Sequence, residues 1–171
     1  VYVQKFDSHG DPTGAEIKLE ATGNTTGDDL NPYVTQLENS GEYIVTWEGR
    51  DGTGNSKDFS IYVQKFNMDG EAVGTTAKLE AIVTDNSILG VDSGAKVTGV
   101  GHDGDYIVSW FGNERTSGTS VSYNVYAQRF NADGTKNGSQ ISIEGMTVSD
   151  AYDRYQNIIS MGNDGDFVVV Y

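Results

Sequence analysis

Apolar residues along this chain come in short runs broken by glycine, aspartate and asparagine, and the runs repeat nearly word for word. Tyr2-Val3-Gln4-Lys5-Phe6 returns as Tyr62-Val63-Gln64-Lys65-Phe66 and again as Tyr126-Ala127-Gln128-Arg129-Phe130, at intervals of 60 and 64 residues. A second phrase, Gly41-Glu42-Tyr43-Ile44-Val45-Thr46-Trp47, returns as Gly104-Asp105-Tyr106-Ile107-Val108-Ser109-Trp110. It returns once more, degraded, as Gly165-Asp166-Phe167-Val168-Val169-Val170-Tyr171, so its intervals are 63 and 61 residues. Two phrases keeping step in this way mark tandem copies of one supersecondary unit.

The fullest copy spans residues 94–145. Residues 95–100 read as a first strand, and Gly101-His102-Asp103-Gly104 as a turn whose Asp-Gly supplies the positive φ of a tight hairpin. Residues 105–110 form a second strand rich in β-branched and aromatic side chains. A polar stretch at 112–120, matched by 49–57, leads into a third strand at 121–130. Asn131-Ala132-Asp133-Gly134 then turns the chain, as Asn67-Met68-Asp69-Gly70 and Asp7-Ser8-His9-Gly10 do in their copies. A fourth strand at 140–144 closes the unit, with counterparts at 77–81 and 16–21.

Four short strands joined by hairpins make an antiparallel meander, the blade of a β-propeller. The expected fold is therefore all-β: tandem four-stranded meanders in a propeller-like arrangement, with a β-sandwich as the alternative. Trp47, Trp110 and Tyr171 hold the same place in the second strand, where large rings suit packing between units. The second strands are nearly continuous in apolar residues, as strands buried on both faces would be. The chain divides into a half unit (1–30), full units (31–92 and 93–150) and a half unit (151–171), which together amount to three. A propeller has about four to eight blades. Either the chain belongs to a larger ring, or its halves meet to close a three-unit body. A chain that opens inside one repeat and stops inside another is expected to be a segment of something longer.

Composition narrows the partners. The 25 acidic against 11 basic residues give a net charge of −14, which disfavours nucleic acid and anionic membrane surfaces, since phosphate binding needs clustered Lys and Arg. An acidic shell keeps a chain soluble and can attract divalent cations. There is no cysteine, hence neither disulfide framework nor thiolate chemistry. No apolar run reaches the length of about 18 residues that a spanning helix needs, so no membrane insertion is expected.

The residues that could hold a metal lie in the turn between third and fourth strands. Asn67, Asp69 and Glu71 set oxygens at alternate positions around Gly70, and the first copy offers Asp7 and Asp11 around Gly10. Calcium takes several such oxygens, but the same residues also stabilise hairpins by bonding to nearby backbone. Asp103-Gly104-Asp105 and Asp164-Gly165-Asp166 form a second set, weakened by their counterpart Asn39-Ser40-Gly41-Glu42. The loop Arg50-Asp51-Gly52-Thr53-Gly54-Asn55 could wrap an ion or a sugar, or serve as a connector. Gln4, Gln64 and Gln128 must satisfy their amides inside apolar strands, by bonding to a neighbouring unit's backbone or by lining a channel.

Catalysis finds little footing. The two histidines, His9 and His102, lie in turns without counterparts in the other copies, and no G-x-S-x-G motif occurs. A glycosidase needs a carboxylate pair facing one cleft, whereas the notable residues here are the repeated ones. Asn24-Thr25-Thr26 and Asn137-Gly138-Ser139 match the N-glycosylation pattern, which would mean nothing if the protein were bacterial.

Gly-Asp-Tyr-Ile-Val-Ser-Trp at 104–110, followed by Val-Tyr-Ala-Gln-Arg-Phe-Asn-Ala-Asp-Gly at 125–134, resembles a tandem repeat of large secreted bacterial proteins. These are the RTX (hemolysin-type calcium-binding) adhesins and related surface proteins. The resemblance implies an extracellular or cell-surface location in a bacterium, a calcium-rich setting, and an adhesive or structural role. The glycine-rich nonapeptide that carries calcium in RTX β-rolls is absent. Three functions follow as expectations: a non-catalytic repeat module that contacts other copies of itself, a lectin-like propeller for cell-surface or matrix glycans, and a propeller-type glycoside hydrolase. Exposed Trp47 and Trp110 would favour glycan binding, and burial between units the structural module.

Overall fold

The computed structural model describes residues 1–21, 28–37, 40–50, 59–80, 91–101, 103–115, 121–143 and 156–171. Twelve strands and no helix occur among them: β1 Tyr2–Phe6, β2 Pro12–Lys18, β3 Asp29–Gln36, β4 Tyr43–Arg50, β5 Phe59–Phe66 and β6 Ala72–Leu79, then β7 Asp92–Gly99, β8 Tyr106–Arg115, β9 Val121–Phe130, β10 Lys136–Ser142, β11 Asn157–Met161 and β12 Asp166–Val170. The chain is all-β, as its pattern predicts. Two four-stranded antiparallel meanders, β3-β4-β5-β6 and β7-β8-β9-β10, are flanked by the two-stranded hairpins β1-β2 and β11-β12.

Each sheet has two unlike faces, because alternate residues of a strand point to opposite sides. In the β3–β6 sheet one face carries Tyr43, Val45 and Trp47 opposite Phe66, Gln64 and Tyr62; the other carries Ile44 and Thr46 opposite Lys65 and Val63. The β7–β10 sheet repeats both faces, with Tyr106, Val108 and Trp110 opposite Phe130, Gln128 and Tyr126 on the aromatic one. Ring pairs form along it: Tyr106 on Phe130 at 4.8 Å between centroids, and Trp110 on Tyr126 at 5.7 Å.

The layers stack head to tail. The aliphatic face of the β3–β6 sheet, with Ile44, Ile61, Val63 and Leu79, packs on the aromatic face of the β7–β10 sheet to form the main core. Val3, Ile17 and Leu19 of the β1-β2 segment pack on the aromatic face of the β3–β6 sheet. Phe167, Val169 and Ile158 of the β11-β12 hairpin pack on the aliphatic face of the β7–β10 sheet through Ile107 and Ala127. One junction is thus built three times, always aliphatic face to aromatic face. No barrel closes among the described residues.

Several strands depart from their expected bounds. β2, β6 and β10 begin straight after the turn rather than four or five residues later, because the chain runs on through Gly14, Gly74 and Gly138, all at positive φ. At each of these glycines the pairing with the third strand slips by a bulge. β7 likewise starts at Asp92, earlier than residue 95, with Gly94 at φ +69° in its bulge. β8 continues past Trp110 to Arg115, paired with the early part of β9.

Candidate functional site

The turns expected to attract metal use their oxygens on the backbone. Asn67 Oδ1 accepts from the N–H groups of Asp69 (3.0 Å) and Glu71 (2.9 Å), while its Nδ2 donates to Glu71 Oε2 at 2.9 Å. Asp7 Oδ1 accepts in the same way from His9 (2.8 Å) and Asp11 (3.0 Å). Those donors, Asp11 first, hold the Asp7 carboxyl below its ordinary range. Asp133 is lowered likewise, chiefly by the hydroxyl of Thr135. All three turns sit at the surface as Asx-type hairpin turns. Among the described residues, no group of three or more His, Cys, Asp or Glu side chains converges as a metal site would require.

The Gly-Asp turns belong to the junctions between sheets. Lys65, buried on the aliphatic face, crosses to the next sheet, where its Nζ donates to the carbonyls of Ala132 (2.6 Å) and Gly104 (3.3 Å). It also pairs with Glu42 at 3.0 Å. The two other copies of this residue do the same: Lys5 Nζ donates to Met68 O at 2.7 Å, and Arg129 to Gly165 O at 2.6 Å. Met68 and Ala132 hold equivalent places in their turns, as do Gly104 and Gly165. Asp105 closes the clip by accepting from Ala132 N–H at 2.8 Å. One basic side chain per junction therefore fastens each layer to the turns of the next. The sequence carries the signal, since the residue is Lys, Lys and Arg in the three copies, next to the recurrent glutamine.

The glutamines are structural, but they work inside their own hairpin rather than across units. Gln64 Nε2 donates to Lys65 O (2.9 Å) and across the bulge to Val73 O (3.1 Å). Gln4 reaches Lys5 O and Thr13 O, and Gln128 reaches Arg129 O and Asn137 O. Each amide thus bridges the slip in its own ladder by donating to a carbonyl on both strands. Trp47 and Trp110 are buried, at 1% and 0% exposure. Trp110 Nε1 donates to Asp92 Oδ1 at 3.2 Å. Asp29 takes the place of Asp92 in the preceding sheet; it accepts from Ala21 N–H, and burial raises its carboxyl. Exposed His9 lies 3.8 Å from Asp7. His102, residues 51–55 and Asn24-Thr25-Thr26 lie outside the described residues.

One concavity stands apart from the repeated contacts. A cleft of about 770 Å³ opens where the first strands of three units approach, walled by Tyr33, Glu48, Lys96, Phe111, Gln156 and Asn157 among others. Glu48 holds it together: Oε1 accepts from Ser93 Oγ (2.5 Å) and Gly94 N–H (3.0 Å), and Oε2 from Asn31 Nδ2 (2.8 Å). Gln156 donates to Gly94 O at 2.6 Å, and the Lys96 ammonium sits 4.5 Å over the Tyr33 ring. None of these residues recurs between copies, so repetition gave no pointer to them. No protein-family model matches this chain, and neither does any curated protein or solved structure with which it was compared.

Proposed function

We propose that the chain is a non-catalytic repeat module that builds and extends a surface by stacking sheets, in a bacterial adhesin or surface protein outside the cell. The burial of Trp47 and Trp110 inside the stack carries this reading, because rings that pack sheets together are not offered to a sugar. The recurrent residues support it too: Gln64 bridges a bulge, Lys65 fastens a junction and Asn67 closes a turn. The cellular setting rests on the resemblance of the repeated phrases alone.

Carbohydrate binding is the second reading, favoured by the cleft, where an aromatic ring, amides and a cation face one concavity. Hydrolysis has less support. Among the described wall residues Glu48 is the one carboxylate, its oxygens already accept three hydrogen bonds, and glycoside cleavage uses two. Titrating the chain with a panel of surface glycans, by calorimetry and tryptophan emission, separates the readings. The module binds none and its emission stays fixed. Saturable binding that Tyr33→Ala abolishes would replace it with the lectin.

A further inference from the structure

The cleft at Glu48 is assembled from one register row of three units. Tyr33 stands opposite Thr46, Lys96 opposite Ser109 and Asn157 opposite Val170. Thr46, Ser109 and Val170 each precede the ring of the second strand, at Trp47, Trp110 and Tyr171. The three first strands therefore offer Tyr, Lys and Asn from one and the same place, and all three line the cleft. The framework around this row is copied from unit to unit, while the row itself changes chemistry. Repeat arrays bind through surfaces laid along the stack in this way.

Most donors in the cleft are already spent. Ser93 Oγ, the Gly94 N–H and Asn31 Nδ2 all donate to Glu48, and Gln156 Nε2 donates to Gly94 O. These bonds tie β3, β4, β7 and the residue before β11 to one another and fix the walls. Lys96 is the exception. Among the described side chains every other lysine and arginine reaches a carboxylate or a backbone carbonyl. Within that set Lys96 alone meets neither, and its ammonium rests 4.5 Å over the Tyr33 ring. A ring face attracts the charge and leaves the ammonium's N–H donors open to an acceptor in the cleft.

We propose that the cleft binds a small carboxylate carried on a flat apolar ring, with Lys96 holding the carboxylate and Tyr33 and Phe111 facing the ring. A single ammonium suits a single negative charge through a charge-assisted hydrogen bond. A phosphate group calls for clustered Lys and Arg, and Lys96 is the one cation among the described wall residues. Glu48 leaves the ammonium to the ligand, since its own oxygens are taken by three neutral donors. A polyol such as a sugar would need the donors that the walls have spent on one another, whereas an apolar ring needs none of them. Phe111 is fixed as a wall: a Cβ on Gly94 would come within 2.5 Å of its ring, and Tyr123 meets it edge-on at 6.3 Å. The volume of about 770 Å³ matches that of small-molecule sites. The site goes beyond the stacking role, because none of its residues belongs to the basic clips or to the columns of Trp47 and Trp110.

Phenylacetate and its neutral amide, phenylacetamide, are the probes, titrated into the unmodified chain and followed by backbone amide shifts and calorimetry. Phenylacetate binds saturably, with the shifts concentrated at Tyr33, Lys96 and Phe111. Phenylacetamide keeps the ring, loses the charge and binds about tenfold more weakly, as the loss of one charged hydrogen bond requires. Added salt weakens the acid and leaves the amide unchanged. Lys96→Met keeps the stem without the charge and brings the acid down to the level of the amide, while Lys96→Arg restores it. The comparison of acid with amide on the unmodified chain stands whether or not a variant folds. Equal affinity for the two probes overturns the site, and so does an acid that never saturates or shifts spread over the surface lysines. Full binding by a folded Lys96→Met has the same force. Glucuronate that binds where phenylacetate does not also overturns it, and gives the cleft to a sugar acid and the chain to the lectin reading.

Discussion

The complete sheets and the half sheets use the same words and give them different environments. Tyr-Val-Gln-Lys-Phe is buried throughout in β5, with Lys65 at 2% exposure, whereas in β1 Tyr2 and Phe6 lie mostly open. The difference does not come from the residues. It comes from the neighbours: β5 has strands on both sides and sheets on both faces, while β1 has one strand and one face covered. In stacked repeats a residue's energetic weight is set by its place in the array more than by its identity.

That contrast is most sharply tested at the aromatic column. Trp110→Ala empties a fully buried site between two sheets and is expected to cost about 3–5 kcal/mol. Tyr171→Ala, at the equivalent place in the last hairpin, removes a ring that is 52% exposed and should fall within about 0.5 kcal/mol of wild type in the dilute chain. Urea unfolding of both variants measures the pair. Similar costs would mean that Tyr171 is covered in solution.

The basic clips give the next effect. Lys65→Met leaves Glu42 and two carbonyls without their cation, at a cost of about 3 kcal/mol. Lys5→Met loses one carbonyl bond at an exposed site, for about 0.5 kcal/mol or less. High salt should weaken the Lys65 clip little, since burial shields it from screening. Denaturant midpoints at low and high salt check both expectations.

Gly74→Ala and Gly14→Ala differ by the neighbour alone. Both glycines stand at positive φ, which costs an alanine about 1–2 kcal/mol. A Cβ on Gly74 would also lie 2.5 Å from the Asp133 carbonyl of the next sheet, whereas one on Gly14 meets nothing within 4 Å. Gly74→Ala should therefore lower the thermal midpoint more than Gly14→Ala; equal shifts would show that the turn of the next sheet gives way.

The strands and the meander were legible because their signals are local: β-branched runs, Asp-Gly turns, and phrases that keep step. The role of Trp47 and Trp110 was legible as a choice between burial and exposure, which burial in the stack then decided. The bulges at Gly14, Gly74 and Gly138 were missed, because a glycine after a turn reads as more turn. Lys65 was missed for another reason. Its partners Ala132 and Gly104 lie far away in sequence and act through backbone carbonyls, which carry no residue signature. The cleft at Glu48 leaves no mark in the repeated phrases, since its walls differ between copies.

The smallest difference between a half sheet and a complete one is a single atom change. The first turn opens on Asp7 where the complete sheets open on Asn67 and Asn131, so the residue that opens the turn titrates in the first alone. The N–H groups of Asp11 and His9 stabilise the Asp7 carboxylate and lower its pKa in the folded chain below 3.8. A lowered carboxylate contributes stability above its unfolded pKa and loses it as pH falls through the folded one. Asp7→Asn keeps the accepting oxygen and removes the titration, so the two proteins should differ by a constant amount above the ordinary carboxylate range and by a changing amount only below it. Amide shifts of His9 and Asp11, followed from neutral to acid pH, should carry in the wild type a step at the Asp7 titration that the variant lacks. If the wild-type amides hold still as the carboxyl protonates, the turn stands on its backbone bonds alone, and first and later turns are equivalent after all.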